Sequence, residues 1–251
     1  MTVSTFFIVC PLVFLAGFVD SIAGGGGLIS LPAYLIAGLP VHNAIATNKL
    51  SSAAGTAVTT YRFWRSGYIP LKESIVGLIC AIMGASAGAK IALMISDEFF
   101  RKILLIVLPV TALYVMFNKR MGQESEVEAF SERKTLVIVA LAALVIGMYD
   151  GFYGPGTGTF LMLLLTGAAR MSLQKSAGVI KVINLTTNLT SLAVYLLNGK
   201  VIFTLGLAAA AFSIAGNYLG SQCFKSNGEK LVKPIMILVL VIFFVKTLLE
   251  L

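Results

Sequence analysis

Apolar positions dominate the chain in long runs, and two of those runs end in the same unusual way. Residues 5–22 form the first run, which meets Asp20 and then the glycine cluster of DSIAGGGG over 20–27. Residues 135–149 form the other, which meets Asp150 and DGFYGPGT over 150–157. An apolar helix needs no glycine cluster, and a carboxylate followed by flexible backbone at membrane depth is costly unless it serves a purpose. After each break the apolar pattern resumes only briefly, over 28–38 and 159–166. At about 1.5 Å per residue neither piece crosses a hydrocarbon core about 30 Å thick. Longer helices are predicted over 43–63, 71–94, 97–117, 172–197, 201–223 and 231–249. Asp97 and Glu98 open one of them, where acidic groups suit the positive end of the helix dipole. The one long polar stretch, 119–134, mixes four cations with Glu124, Glu126, Glu128 and Glu132.

The pattern is an internal repeat. At an offset of 130, Gly17, Asp20, Gly24 and Gly26 fall on Gly147, Asp150, Gly154 and Gly156. After a slip of two residues, Lys49, Gly67, Gly84 and Gly88 fall on Lys181, Gly199, Gly216 and Gly220. One register held to the end of a half marks two homologous halves, 1–118 and 133–251, joined by a polar linker over 119–132. Gly84/Gly88 and Gly216/Gly220 are small-xxx-small faces for close helix packing, either within one protomer or between two, so a homodimer is among the expected assemblies.

Composition narrows the class. Only 12% of residues are charged and 58% are hydrophobic, against about 25% charged in an ordinary soluble domain. Such a chain cannot cover a water-facing surface, so it is expected in a lipid bilayer. Strand alternation is absent, which speaks against a β-barrel. The net charge of +8 is no nucleic-acid signal, because the cations lie mostly between apolar runs. Cys10, Cys80 and Cys223 are widely spaced inside apolar runs and read as inert thiols, and the single histidine, His42, cannot build a metal site. The N-terminal run lacks a basic leader, and its repeat partner argues against cleavage.

The basic residues also bear on orientation. If each half begins with a hairpin and makes three further crossings, the halves are inverted and the loop cations divide twelve to four between the two faces. If the short helices are instead re-entrant the halves are parallel, and the division is nine to seven. The positive-inside rule favours inversion, with both termini outside the cytoplasm. The expected fold is therefore an all-α polytopic membrane protein of two inverted repeats, each a glycine-broken helical hairpin plus three spanning helices. Two hairpins entering from opposite faces bring their tips together near the midplane, which is the geometry of alternating access.

Lys49 and Lys181 are the sharpest chemical signal. Each lies within a membrane helix, where a lysine costs about 2.5–3.5 kcal/mol on insertion scales, and snorkelling is the competing explanation. Both occupy one repeat position and carry polar neighbours on one face: Ser52 and Thr56 follow Lys49, and Asn184 and Asn188 follow Lys181. Asn48 adjoins the first. Cation, amide and hydroxyl at helical spacing suit an oxyanion. The backbone around Gly24, Gly25, Gly26, Gly154, Gly156 and Thr157 precedes a short helix in each half, where N–H groups and the dipole favour an anion, although the glycines also serve simply as a turn. Asp20 and Asp150 are candidates to pair with the lysines, to carry a coupled proton, or to cap broken backbone.

These residues resemble the sulfite exporter TauE/SafE family, also called the TSUP permeases. GFVDSIAGGGGLISLP, ATNKL and GYI carry the likeness in the first half, and DGFYGPGTGTF and SAGVIKVINLTTN in the second. The resemblance implies a membrane carrier with about eight spanning helices and small organosulfur or oxyanion substrates such as sulfite and sulfonates. The expected function is secondary active transport of a small anion by alternating access, with proton coupling as an option. No cofactor is implied and no ATP-binding loop is present. An anion channel of the same architecture is the nearest alternative. An intramembrane aspartyl protease is a remote one, since Asp20 is preceded by Phe18 and Val19 and Val19 stands where that family's Gly-x-Gly-Asp motif needs glycine.

Overall fold

The computed structural model describes residues 3–99 and 130–224. The expected helices over 97–117 and 231–249 and most of the linker lie outside these residues, apart from a first turn at 97–99. Every regular element among the described residues is helical. In chain order they are α1 (Val3–Ala23), α2 (Gly27–Ile36), α3 (Val41–Arg65), α4 (Leu71–Leu93), α5 (Glu132–Phe152), α6 (Thr157–Leu163), α7 (Leu173–Leu197) and α8 (Phe203–Phe224). A π-helical turn, Leu164–Ala168, extends α6.

Five of these helices, α1, α4, α5, α7 and α8, are long and apolar enough to cross a membrane. α3 has the length, with 25 residues, but carries too many polar side chains to count by hydropathy alone. α2 and α6 are the short pieces expected after each glycine break, at 10 and 7 residues. α1 and α5 do not stop at their aspartates. Asp20 and Asp150 sit inside the last turn of each helix, and the chain breaks after Ala23 and Phe152. Gly24 (φ +71°), Gly154 (φ +107°) and Gly156 (φ +85°) make the breaks in the left-handed region, which side chains with a Cβ avoid.

The two breaks meet. A Cβ on Gly24 would fall 2.7 Å from Gly158 Cα, and one on Gly27 would fall 3.0 Å from Pro155 Cα. Backbone packs on backbone there, and only glycine leaves the room.

The small-residue faces are used within the chain. Gly84 and Gly88 of α4 lie against the carbonyls of Leu144 and Met148 of α5, and Gly151 of α5 lies against Ala85 of α4. Gly216 and Gly220 of α8 lie against the carbonyls of Phe14 and Phe18 of α1. The last long helix described in each half therefore clasps the broken helix of the other half. Without a hydrophobic drive between helices in lipid, such close packing is the main source of association.

A leucine at Gly88 or Gly220 would overlap a backbone carbonyl and force the clasped pair apart. Gly88→Leu and Gly220→Leu are each expected to lower stability by about 1–3 kcal/mol or more. Gly167→Ala, which meets nothing within 4 Å, is expected to stay within about 0.5 kcal/mol. Thermal unfolding of the purified protein in detergent measures the difference.

Candidate functional site

A cavity of about 50 Å³ opens where the two breaks meet. One water needs about 10–15 Å³, so the space holds a few waters or one small solute. Three helices line it with polar side chains one turn apart: Asn48, Ser52 and Thr56 from α3, Asn184 and Asn188 from α7, and Ser213 and Asn217 from α8. Spacing of four places each set on one face of its helix. Gly24, Gly26, Gly154 and Thr157 line it from the breaks, and Asp20 and Asp150 from the last turns of α1 and α5.

Of the residues expected to form the site, Lys181, Gly25 and Gly156 do not line the cavity, although Gly25 and Gly156 belong to the breaks that frame it. The short-helix N-termini are partly closed on themselves. Leu28 N–H donates to Gly25 O and Thr157 N–H to Gly154 O.

Both lysines are buried, at 2% and 3% exposure, and neither snorkels. Each ends on the aspartate of the other half. Lys49 Nζ lies 2.9 Å from Asp150 Oδ2, and Lys181 Nζ lies 3.0 Å from Asp20 Oδ2. The two pairs differ in detail. Lys181 Nζ donates to both Asp20 Oδ2 and the Asp20 main-chain carbonyl, which also accepts from Gly24 N–H. It thereby satisfies the carbonyl end of α1 where that helix breaks. Lys49 meets Asp150 Oδ2 without hydrogen-bond geometry, so charge alone holds that contact. Asp150 Oδ1 instead accepts from the Thr157 hydroxyl at 2.9 Å.

Sequence reasoning missed Ser213 and Asn217. Their signal was present: two polar residues one turn apart in an apolar run, beside glycines that drew attention for packing alone. Asn217 Oδ1 accepts from Thr59 Oγ1 at 2.8 Å, and its Nδ2 donates to Ser213 O at 3.0 Å. Gly17 and Gly55 make room for it, since a Cβ on Gly17 would fall 2.7 Å from Asn217 Nδ2. At the offset of 132 the partners of Ser213 and Asn217 are Ala81 and Ala85, both fully buried and apolar. The polar lining is thus one-sided, and the cavity lies towards α8. Asn184 Oδ1 is buried at this cavity with no hydrogen-bond partner, which costs about 1–3 kcal/mol unless something in the cavity supplies a donor.

Removing one member of a buried pair strands a charge, at about 3–5 kcal/mol, whereas removing both is often near neutral. Lys49→Met alone is therefore expected to destabilise by about that amount. Adding Asp150→Leu should recover most of the loss, and adding Asp20→Leu should not. Double-mutant cycles read by thermal unfolding distinguish the crosswise pairing from pairing within each half.

Residues 9–247 match the family described as sulfite exporter TauE/SafE. A probable membrane transporter protein of Haemophilus influenzae is 34% identical, with 90% of this chain and 87% of that protein covered. A probable membrane transporter protein, ORF9, of Sinorhizobium is also 34% identical, with 94% and 89% covered. The probable membrane transporter protein YfcA of Escherichia coli K12 is 32% identical, with 98% and 94% covered. No solved structure matches the chain. A family match over nearly the whole length, relatives similar end to end and, among the described residues, five helices long and apolar enough to span agree: this integral membrane protein belongs to the sulfite exporter TauE/SafE family of membrane transporters.

Proposed function

We propose that the protein is a secondary active carrier of small anions, taking sulfite, a short sulfonate or a related organosulfur oxyanion by alternating access. The observation that carries this reading is the cavity between the two broken helices, with the Lys49 ammonium and amide groups from three helices converging on it. Its small volume suits a solute of a few heavy atoms. Lys49 supplies the charge, and Asn48, Asn188 and Asn217 supply amide groups on several sides. The meeting of the two breaks and the clasp of each half on the other support two inverted halves that rock about a shared centre. In this reading both termini lie outside the cytoplasm.

Charge balance supports proton coupling. Each lysine is already neutralised by a carboxylate, so an arriving anion competes with Asp150 for Lys49. Protonating one carboxylate removes that competition and gives the site one net positive charge, which the arriving monovalent anion neutralises. Entry of a monovalent anion together with one proton is then electroneutral. The aspartates each end on a lysine, whereas an aspartyl protease holds its two carboxylates against one another to share a proton. That pairing favours transport over proteolysis.

Purified protein in proteoliposomes, offered labelled sulfite or a short sulfonate, should show saturable uptake that rises with an imposed pH gradient and falls when a protonophore collapses it. Lys49→Ala should weaken apparent affinity by about 10- to 100-fold, the equivalent of losing one charge-assisted contact. Uptake that is indifferent to the gradient would remove proton coupling. Unaltered uptake in folded Lys49→Ala would move the anion away from this cavity.

A further inference from the structure

The two ion pairs occupy equivalent places in the repeat, yet their surroundings differ in one respect that bears on a proton. The Thr157 hydroxyl lies between two oxygens, Gly154 O at 2.6 Å and Asp150 Oδ1 at 2.9 Å. A threonine hydroxyl has one hydrogen to donate and lone pairs with which to accept. With Asp150 ionised, Thr157 donates to Oδ1. With Asp150 protonated on Oδ1, that O–H donates to Thr157 Oγ1, and the threonine hydrogen turns to Gly154 O. Both protonation states leave Asp150 Oδ1 and the Thr157 hydroxyl bonded to each other. This matters because a buried polar group left unpaired costs about 1–3 kcal/mol.

Asp20 lacks this arrangement. At the offset of 130 the partner of Thr157 is Gly27, which has no hydroxyl to offer. Its lysine is also committed, because Lys181 Nζ bonds the Asp20 main-chain carbonyl as well as the carboxylate. Protonating Asp20 would leave Lys181 still held by that carbonyl and away from the cavity lining. Protonating Asp150 releases Lys49, which does line the cavity and has no second acceptor holding it by a directed bond.

We infer that Asp150 alone is the proton-carrying carboxylate of this transporter, that Thr157 is the hydroxyl relay that lets it change charge, and that Lys181–Asp20 is a fixed clamp on the end of α1. The inference rests on the carrier reading above and divides its chemistry between the two pairs. An excess proton, carried into the cavity as hydronium, adds to Asp150 Oδ1 and leaves a water behind, and the anion takes the place of the carboxylate at Lys49, so charge and atoms balance. The titratable groups around Asp150 are Lys49 from α3, Asp20 from α1 across the cavity, Tyr195 from α7 and Tyr149 and Tyr153 from its own chain segment. Tyr195 donates its hydroxyl to Gly151 O and Tyr149 donates to Pro155 O. Towards Gly151, α4 presents Ala85, which does not titrate.

Infrared difference spectroscopy of the full-length protein in lipid, titrated with acid and without any transported anion, tests the assignment. One carboxylic-acid carbonyl component, distinct from the bands of the other ten acidic side chains, should grow on acidification and be absent in Asp150→Asn. It should persist in Asp20→Asn, shift in Thr157→Val, where the acid loses its acceptor, and return in Thr157→Ser. Should Asp150→Asn fail to fold, Asp150→Glu should move the band instead. A band that survives Asp150→Asn, vanishes in Asp20→Asn, ignores Thr157→Val or never forms would overturn the assignment. Because no substrate is needed, the band failing and the flux failing are separate results. Silent flux with an Asp150 band intact counts against the carrier reading, and active coupled flux without that band counts against Asp150.

Discussion

Two lysines buried in a low-dielectric interior can exist there only if something neutralises them, and in this protein the neutralising groups come from the opposite half. Lys49 of the first half meets Asp150 of the second, and Lys181 of the second meets Asp20 of the first. A lone buried ion costs several kcal/mol even after relaxation, so neither half can hold its lysine inside by itself. The crossing of the two pairs makes each half a requirement for the other and fixes where the broken helices meet.

The glycines make that crossing sterically attainable. Ion pairs near 3 Å need the end of α5 close to α3 and the end of α1 close to α7. Gly24 against Gly158 and Gly27 against Pro155 allow the breaks to touch, and the small faces of α4 and α8 draw α5 and α1 in to backbone contact. Charge thus sets which elements must meet, and glycine sets how near they come. The cavity is the space left at that junction, floored by turns that carry no side chain bulky enough to fill it.

Departures from the repeat are more informative about chemistry than the repeat itself. Ser213 and Asn217 stand opposite Ala81 and Ala85, Thr157 stands opposite Gly27, and Lys181 has a main-chain acceptor that Lys49 lacks. A symmetric scaffold would offer two equal half-sites. This one adds Ser213 and Asn217 from α8, leaves one lysine towards the cavity and gives a hydroxyl partner to one carboxylate.

Much of this was legible in one dimension. Membrane residence follows from too few charges to cover a wetted surface, and the broken helices follow from apolar runs that end in glycine and resume for less than a span. The register of lysines and glycines shows the repeat, because helical spacing preserves it, and the family likeness rests on the same residues. Spacing along a helix also placed Asn48, Ser52, Asn184 and Asn188 on one face of their helices. What spacing cannot report is which helix that face meets. The crosswise partners of Lys49 and Lys181, the commitment of Lys181 to the α1 carbonyl, the lining role of Asn217 and the use of the Gly84 and Gly216 faces within one chain all depend on contacts between residues far apart in sequence, more than 150 in the case of Lys181 and Asp20. Local pattern determined the elements and the chemistry each could offer. Only tertiary packing decided which of that chemistry converges, because a charge's partner is set by distance in space and not by position in the chain.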